Sequence, residues 1–116
     1  MTVQNLTPAQ IAEKLKSAEI VLIDVREPNE YAAERIHGAL LFPLSTFDPR
    51  LLPDSGKRPV VFHCGSGMRS GKAAAACHAA GVPHNAHMAG GIMAWKAAGL
   101  PTISVDPATG RTVDHS

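Results

Sequence analysis

Short continuous apolar runs alternate along this chain with longer segments whose apolar positions recur at helical spacing. The two densest runs are Ile20-Val21-Leu22-Ile23-Asp24-Val25 and Pro59-Val60-Val61-Phe62-His63-Cys64. Their β-branched and aromatic residues follow one another without polar interruption, as in strands buried on both faces of a parallel sheet. Weaker runs at residues 3–6, 40–42 and 84–88 predict three more strands. Between the runs lie helix signals. Thr7 reads as an N-cap, Pro8 as a first-turn residue and Gln10 as the closing member of a capping box, with Leu6 and Ile11 placed for a hydrophobic staple. Ile11 and Leu15 share the apolar face of that helix, which is expected to end near Ser17. Pro28 opens a short helix to about Glu34, and Ser45 reads as the cap of another. Residues 53–57 are a turn-rich surface loop. Residues 70–80 form an alanine-rich helix stopped by Gly81 and Pro83, and residues 92–96 a last helix ended by Gly99 and Pro101.

Alternation of strand and helix predicts an α/β sandwich around a parallel sheet. At 116 residues the chain is long enough for one core. The domain is expected over residues 1–103, with residues 104–116 as a polar, poorly ordered tail carrying Pro107 and Gly110. There is no internal repeat.

Composition narrows the function classes. Apolar residues make up 45% and charged residues 18%, which fits a globular protein rather than a disordered chain. A net charge of +1 with only five aromatic residues (one Trp, one Tyr, three Phe) supplies neither a basic face nor a stacking platform for nucleic acid. No apolar run reaches the roughly 18 residues of a membrane helix. The first residues, including Thr2, Gln4 and Asn5, are too polar for a signal peptide. The two cysteines make neither a CxxC pair nor a secreted disulfide framework. These features read as a soluble protein of the reducing cytoplasm.

The chemistry concentrates after the second dense run, in His63-Cys64-Gly65-Ser66-Gly67-Met68-Arg69-Ser70-Gly71-Lys72. Cys64 stands at the carboxyl end of a central parallel strand, where open α/β sheets bind ligands. Gly65 and Gly67 permit a turn whose successive N–H groups face inward, and the following helix adds its own unpaired N–H groups. Together with cationic Arg69 and Lys72, this predicts an acidified, reactive thiol rather than core filler. Cys77 lies on the order of 10 Å along the same helix, too far for a disulfide to Cys64, and reads as packing. Asp24 ends the other buried strand and needs a partner, with Arg26 on the same face and Arg69 the more distant candidate. His63 alternates away from Cys64, so a Cys–His dyad is not expected and a buried, hydrogen-bonded histidine is. His78, His84 and His87 have no metal-ligand spacing.

Three blocks, in order, resemble the rhodanese (sulfurtransferase) family in its single-domain form. They are Leu22-Ile23-Asp24-Val25-Arg26-Glu27-Pro28 with Glu30-Tyr31 and Ile36-His37-Gly38-Ala39; the Cys64 loop; and Gly90-Gly91-Ile92-Met93-Ala94-Trp95 with Ala98-Gly99-Leu100-Pro101. The resemblance implies a three-layer sandwich with a five-stranded, mostly parallel sheet. It implies a thiosulfate sulfurtransferase-like enzyme in which the Cys64 thiolate takes the outer sulfur of an anionic donor. The resulting persulfide is held by N–H groups of Gly65, Ser66, Gly67, Met68, Arg69 and Ser70 and passes its sulfur to cyanide or a thiol. Asp24 and Arg26 would support the loop, and Arg69 would attract the donor and lower the thiol pKa. No metal or organic cofactor follows. The expected partners are a small-molecule donor and a thiophilic acceptor, which a protein could also supply, with no nucleic acid and no membrane. Four residues separate Cys64 from Arg69, one fewer than in the related phosphatases and arsenate reductases, which favours sulfur over a larger oxyanion. The other class kept open is a catalytically silent rhodanese-like binding module.

Overall fold

The structure is a computed structural model that describes residues 3–115. Met1, Thr2 and Ser116, which the sequence reading places in the domain and its tail, lie outside the described residues. The chain runs β1 (Gln4–Leu6), α1 (Pro8–Lys16), β2 (Val21–Asp24), α2 (Pro28–Ala33), β3 (Glu34–Arg35), β4 (Leu40–Leu41), two 3-10 turns (Leu44–Thr46 and Pro49–Leu51), β5 (Val60–His63), α3 (Met68–Ala79), β6 (Ala86–Met88), α4 (Gly91–Ala97), β7 (Ile103–Val105) and β8 (Thr112–Asp114).

β1, β6, β5, β2 and β4 lie side by side in that order, and each neighbouring pair is parallel. The five-stranded parallel sheet between helices is the architecture expected. Its middle strands are buried on both faces because each face meets a helical layer. Leu22 and Val61 point into one apolar cluster with Ile11 of α1 and Ile92 and Trp95 of α4. Val21, Ile23, Val60 and Phe62 point into the other, with Ala73, Ala74 and Cys77 of α3. The small side chains of α3 let it lie close on the sheet. Among the described residues no helix is long and apolar enough to cross a membrane.

Local signals are met at the first helix. Thr7 accepts from the Gln10 N–H at 3.2 Å, and the Gln10 side chain accepts from the Thr7 N–H at 2.9 Å. Ser45 differs from its expected role. It sits inside a 3-10 turn instead of capping a helix, and its hydroxyl donates to Glu27 Oε1 at 2.6 Å. A carboxylate 18 residues away outcompetes the local cap. Residues 103–114, within and beside the stretch read as a polar tail, carry β7 and β8. These pair antiparallel with each other and, through β7, with β3 in a separate three-stranded sheet. Backbone pairing needs no apolar run, so polarity alone did not disclose these strands.

Candidate active site

Cys64 directly follows β5, so the end of the central strand fixes its Cα. Its backbone is fastened from the far side by α4. Ile92 N–H donates to the Cys64 carbonyl at 2.8 Å and Met93 N–H to the Gly65 carbonyl at 3.2 Å. With both carbonyls engaged there, the following peptide units present N–H groups to the sulfur. This close docking requires Gly91: a Cβ there would stand 2.4 Å from the Cys64 oxygen and 2.5 Å from the Gly65 oxygen. Gly67 takes a left-handed backbone (φ +108°) and starts α3. Gly65 serves a different need, because its missing Cβ leaves room for the Arg69 guanidinium, whose Nη2 would be 3.2 Å from it.

The thiol lies at the floor of this loop, 1% exposed. Gly67 N–H donates to Sγ at 3.1 Å, and Ser70 Oγ lies 3.6 Å from it. Burial opposes ionisation of Cys64, but hydrogen bonds from the Ser70 hydroxyl and from the N–H groups of Ser70, Gly67 and Ser66 outweigh it. The thiol therefore lies below its ordinary value. Cys77 is the internal contrast: equally buried, with burial alone acting, its thiol is pushed up to about 11. The two cysteines differ because only one has donors aimed at it.

Arg69, expected to meet the donor, is held by a carboxylate. Its Nη1 and Nη2 contact the two oxygens of Glu30 at 2.6 and 3.0 Å. The Arg69 hydrogen bonds outweigh partial burial and take the Glu30 carboxyl from 4.5 down to about 2. Glu30 belongs to the first of the three sequence blocks, but nothing local links it to a residue 39 positions away. Asp24 takes the nearer of its two candidate partners: the Arg26 Nη2 is 2.8 Å from Oδ2 and Nε 3.1 Å from Oδ1. Both side chains are buried, and Arg26 also donates to the Glu34 carbonyl at 2.6 Å. Asp24 Oδ2 is 3.5 Å from Nε2 of fully buried His63, whose pKa burial pushes down. His63 Nδ1 lies 3.3 Å from the Cys64 carbonyl oxygen, not from its sulfur. This pair and histidine thus brace the strand ends beneath the loop.

Two residues that the sequence reading did not assign to the site also reach it. His87 Nδ1 is 2.8 Å from Ser70 Oγ, and His87 Nε2 is 2.7 Å from Asn5 Oδ1. Met68 within the loop and Met93, whose N–H bonds to the Gly65 carbonyl, are 74% and 67% exposed. An apolar groove of about 470 Å³ between α1 and α4, walled by Leu15, Ile36, Trp95 and Leu100, includes no residue of the loop.

A buried, donor-surrounded cysteine at the end of the central strand of this sheet matches a known family. The chain belongs to the rhodanese-like domain family, whose sequence profile matches residues 7–98. A protein of Synechocystis, slr1261, is 38% identical over 99 residues, 85% of this chain and 55% of the relative, so the chain spans about half the length of that protein. A protein of Allochromatium vinosum named sulfurtransferase is 32% identical over 103 residues, 88% of this chain and 96% of the relative. Among solved structures, the rhodanese-like domain of Anabaena Alr3790 is similar with a TM-score of 0.75 at 25% identity, over 96% of this chain and 89% of that one.

Proposed function

We propose that this protein is a sulfurtransferase that carries sulfane sulfur on Cys64. The observation that carries the reading is the acidified thiol within a six-residue loop whose N–H groups converge on it. The thiolate attacks the outer sulfur of a donor such as thiosulfate. The S–S bond of the donor breaks, sulfite leaves with its electron pair, and Cys64 becomes a persulfide. Cyanide or an acceptor thiolate then attacks the outer persulfide sulfur and the Cys64 thiolate leaves, restoring the enzyme. The loop N–H groups of residues 65–70 stabilise negative charge on either sulfur, as an oxyanion hole does on oxygen. Arg26 and Asp24 hold the strand end that aims the loop. The sulfurtransferase name of the Allochromatium relative, which this chain covers almost completely, supports the reaction class. The cysteine usage of the sequence fits the reducing cytoplasm, and the proposed reaction calls for no metal or organic cofactor.

The donor preference follows from charge. Arg69 is the cation beside the loop, so an anionic donor is favoured, but the donor must share that cation with Glu30. The test is intact-protein mass after incubation with thiosulfate, with Cys64→Ser in parallel. The expected result is a gain of one sulfur on the unmutated protein alone, removed by cyanide. An adduct on Cys64→Ser, or none from thiosulfate, mercaptopyruvate or glutathione persulfide, would overturn the reading in favour of a binding module.

A further inference from the structure

A buried thiol can become a thiolate only if its proton has somewhere to go. Most groups against Cys64 Sγ cannot take it. The N–H groups of Ser66, Gly67 and Ser70 are donors and have no lone pair to offer. Among the described residues the neighbour that can accept it is Ser70 Oγ at 3.6 Å, itself fully buried. Ser70 in turn meets His87 Nδ1 at 2.8 Å, and His87 Nε2 meets Asn5 Oδ1 at 2.7 Å, with Asn5 exposed at the surface. These contacts form one continuous line from the sulfur to solvent.

With the Asn5 carboxamide oxygen facing the ring, one placement of the hydrogens runs along the whole line. A carboxamide oxygen only accepts, so His87 Nε2 carries the hydrogen and, in the neutral ring, Nδ1 presents a lone pair to Ser70. The Ser70 hydroxyl has two acceptors within reach, the Gly67 carbonyl at 3.1 Å and His87 Nδ1 at 2.8 Å; with Nδ1 unprotonated it donates to the nearer, His87, and its lone pair faces the thiol. We propose that Ser70 takes the Cys64 proton and hands its own to His87, so that His87 is a positioning residue that directs the Ser70 hydroxyl and receives the charge. In this step the S–H bond breaks as an O–H bond forms on Ser70, and the former Ser70 O–H proton moves to Nδ1. Cys64 becomes a thiolate and His87 an imidazolium, and nothing is oxidised or reduced. Afterwards the Ser70 hydroxyl points at the sulfur and contributes one more hydrogen bond to it. The same line runs backward when an acceptor releases Cys64 as a leaving group.

The surroundings keep His87 ready for this. Asn5 from β1 and Phe62 from β5 flank it in the sheet, and Gly67 and Gly71 lie against its ring from the α3 side, their absent Cβ atoms 3.8 and 3.9 Å from Cε1. None of these groups, nor Ser70, carries a charge. Burial disfavours the imidazolium, so the ring starts neutral and holds the proton it receives only in passing.

This inference rests on Cys64 as the reacting thiol of the proposed transferase, but its test needs no sulfur donor. The rate of Cys64 alkylation by iodoacetamide, an uncharged reagent, is followed against pH in the intact chain. His87→Asn keeps an acceptor oxygen toward Ser70 but cannot take up a proton. It is expected to slow alkylation about tenfold at neutral pH and to move the profile toward higher pH. Ser70→Ala is expected to do the same, and the double variant to be no slower than the slower single one, because both act on one line. Thermal unfolding of each variant confirms that it is folded. An unchanged profile in His87→Asn, or additive losses in the double variant, would overturn the relay. Normal sulfur transfer with either result leaves the proposed function standing, whereas a missing persulfide with an intact relay would sink only the proposed function.

Discussion

Glu30→Gln separates the two duties of the Arg69–Glu30 pair. The amide has the shape of the carboxylate and can still accept the Glu27 N–H, which Glu30 Oε1 accepts at 3.0 Å in the α2 capping box, so helix entry is preserved. What is lost is the negative charge opposite Arg69. The fall of the Glu30 carboxyl from 4.5 to about 2 comes first from its Arg69 hydrogen bonds, against partial burial. At 1.36 kcal/mol per pH unit it caps the differential interaction at about 3 kcal/mol. The two side chains are 34% and 33% exposed, and solvent screening reduces the expected stability contribution to about 1–2 kcal/mol. Because the folded pKa is depressed, this stability is fully present above 4.5 and disappears as pH falls through about 2. Urea unfolding should therefore show Glu30→Gln less stable by that amount at neutral pH, with the two proteins converging as the pH is lowered through this window. Equal stability at neutral pH, or a gap that persists at the acid end, would refute the assignment of the shift to this pair. The same variant frees Arg69, so its kcat/KM for thiosulfate should rise relative to that for an uncharged persulfide donor.

Two further outcomes are expected. Gly91→Ala drives a Cβ into the Cys64 and Gly65 carbonyls at a residue already in the left-handed region (φ +60°). It should cost more than about 3 kcal/mol and suppress Cys64 alkylation in whatever folds, as thermal unfolding and peptide mass mapping would show. In the native protein at mildly alkaline pH, one equivalent of iodoacetamide should label Cys64 and spare Cys77, whose thiol burial holds at about 11; equal labelling by peptide mapping would contradict the donor argument.

Much of this protein is legible in its sequence because the deciding interactions are local. A capping box spans four residues, so Thr7 and Gln10 announce α1 without help from the rest of the chain. Continuous apolar runs announce β2 and β5, since a strand buried on both faces has no polar side to show. The position of Cys64 between such a run and a glycine-rich turn is likewise local, and the rhodanese-like blocks resembled there belong to the family that the chain's profile confirms. The Asp24–Arg26 pair spans two residues on one face and was open to the same reading.

Tertiary structure decided what lies between distant segments. Arg69 finds Glu30 across 39 residues, and Ser45 finds Glu27 instead of capping a helix. Ser70, His87 and Asn5 meet only because β1 and β6 are paired and α3 packs on the sheet, the last contact closing 82 residues of chain. β7 and β8 gain their partners from each other and from β3. Residue type and spacing report what a side chain can do with its near neighbours. Which donor meets which acceptor across the sheet depends on strand order and register, and those emerge only when the whole core packs.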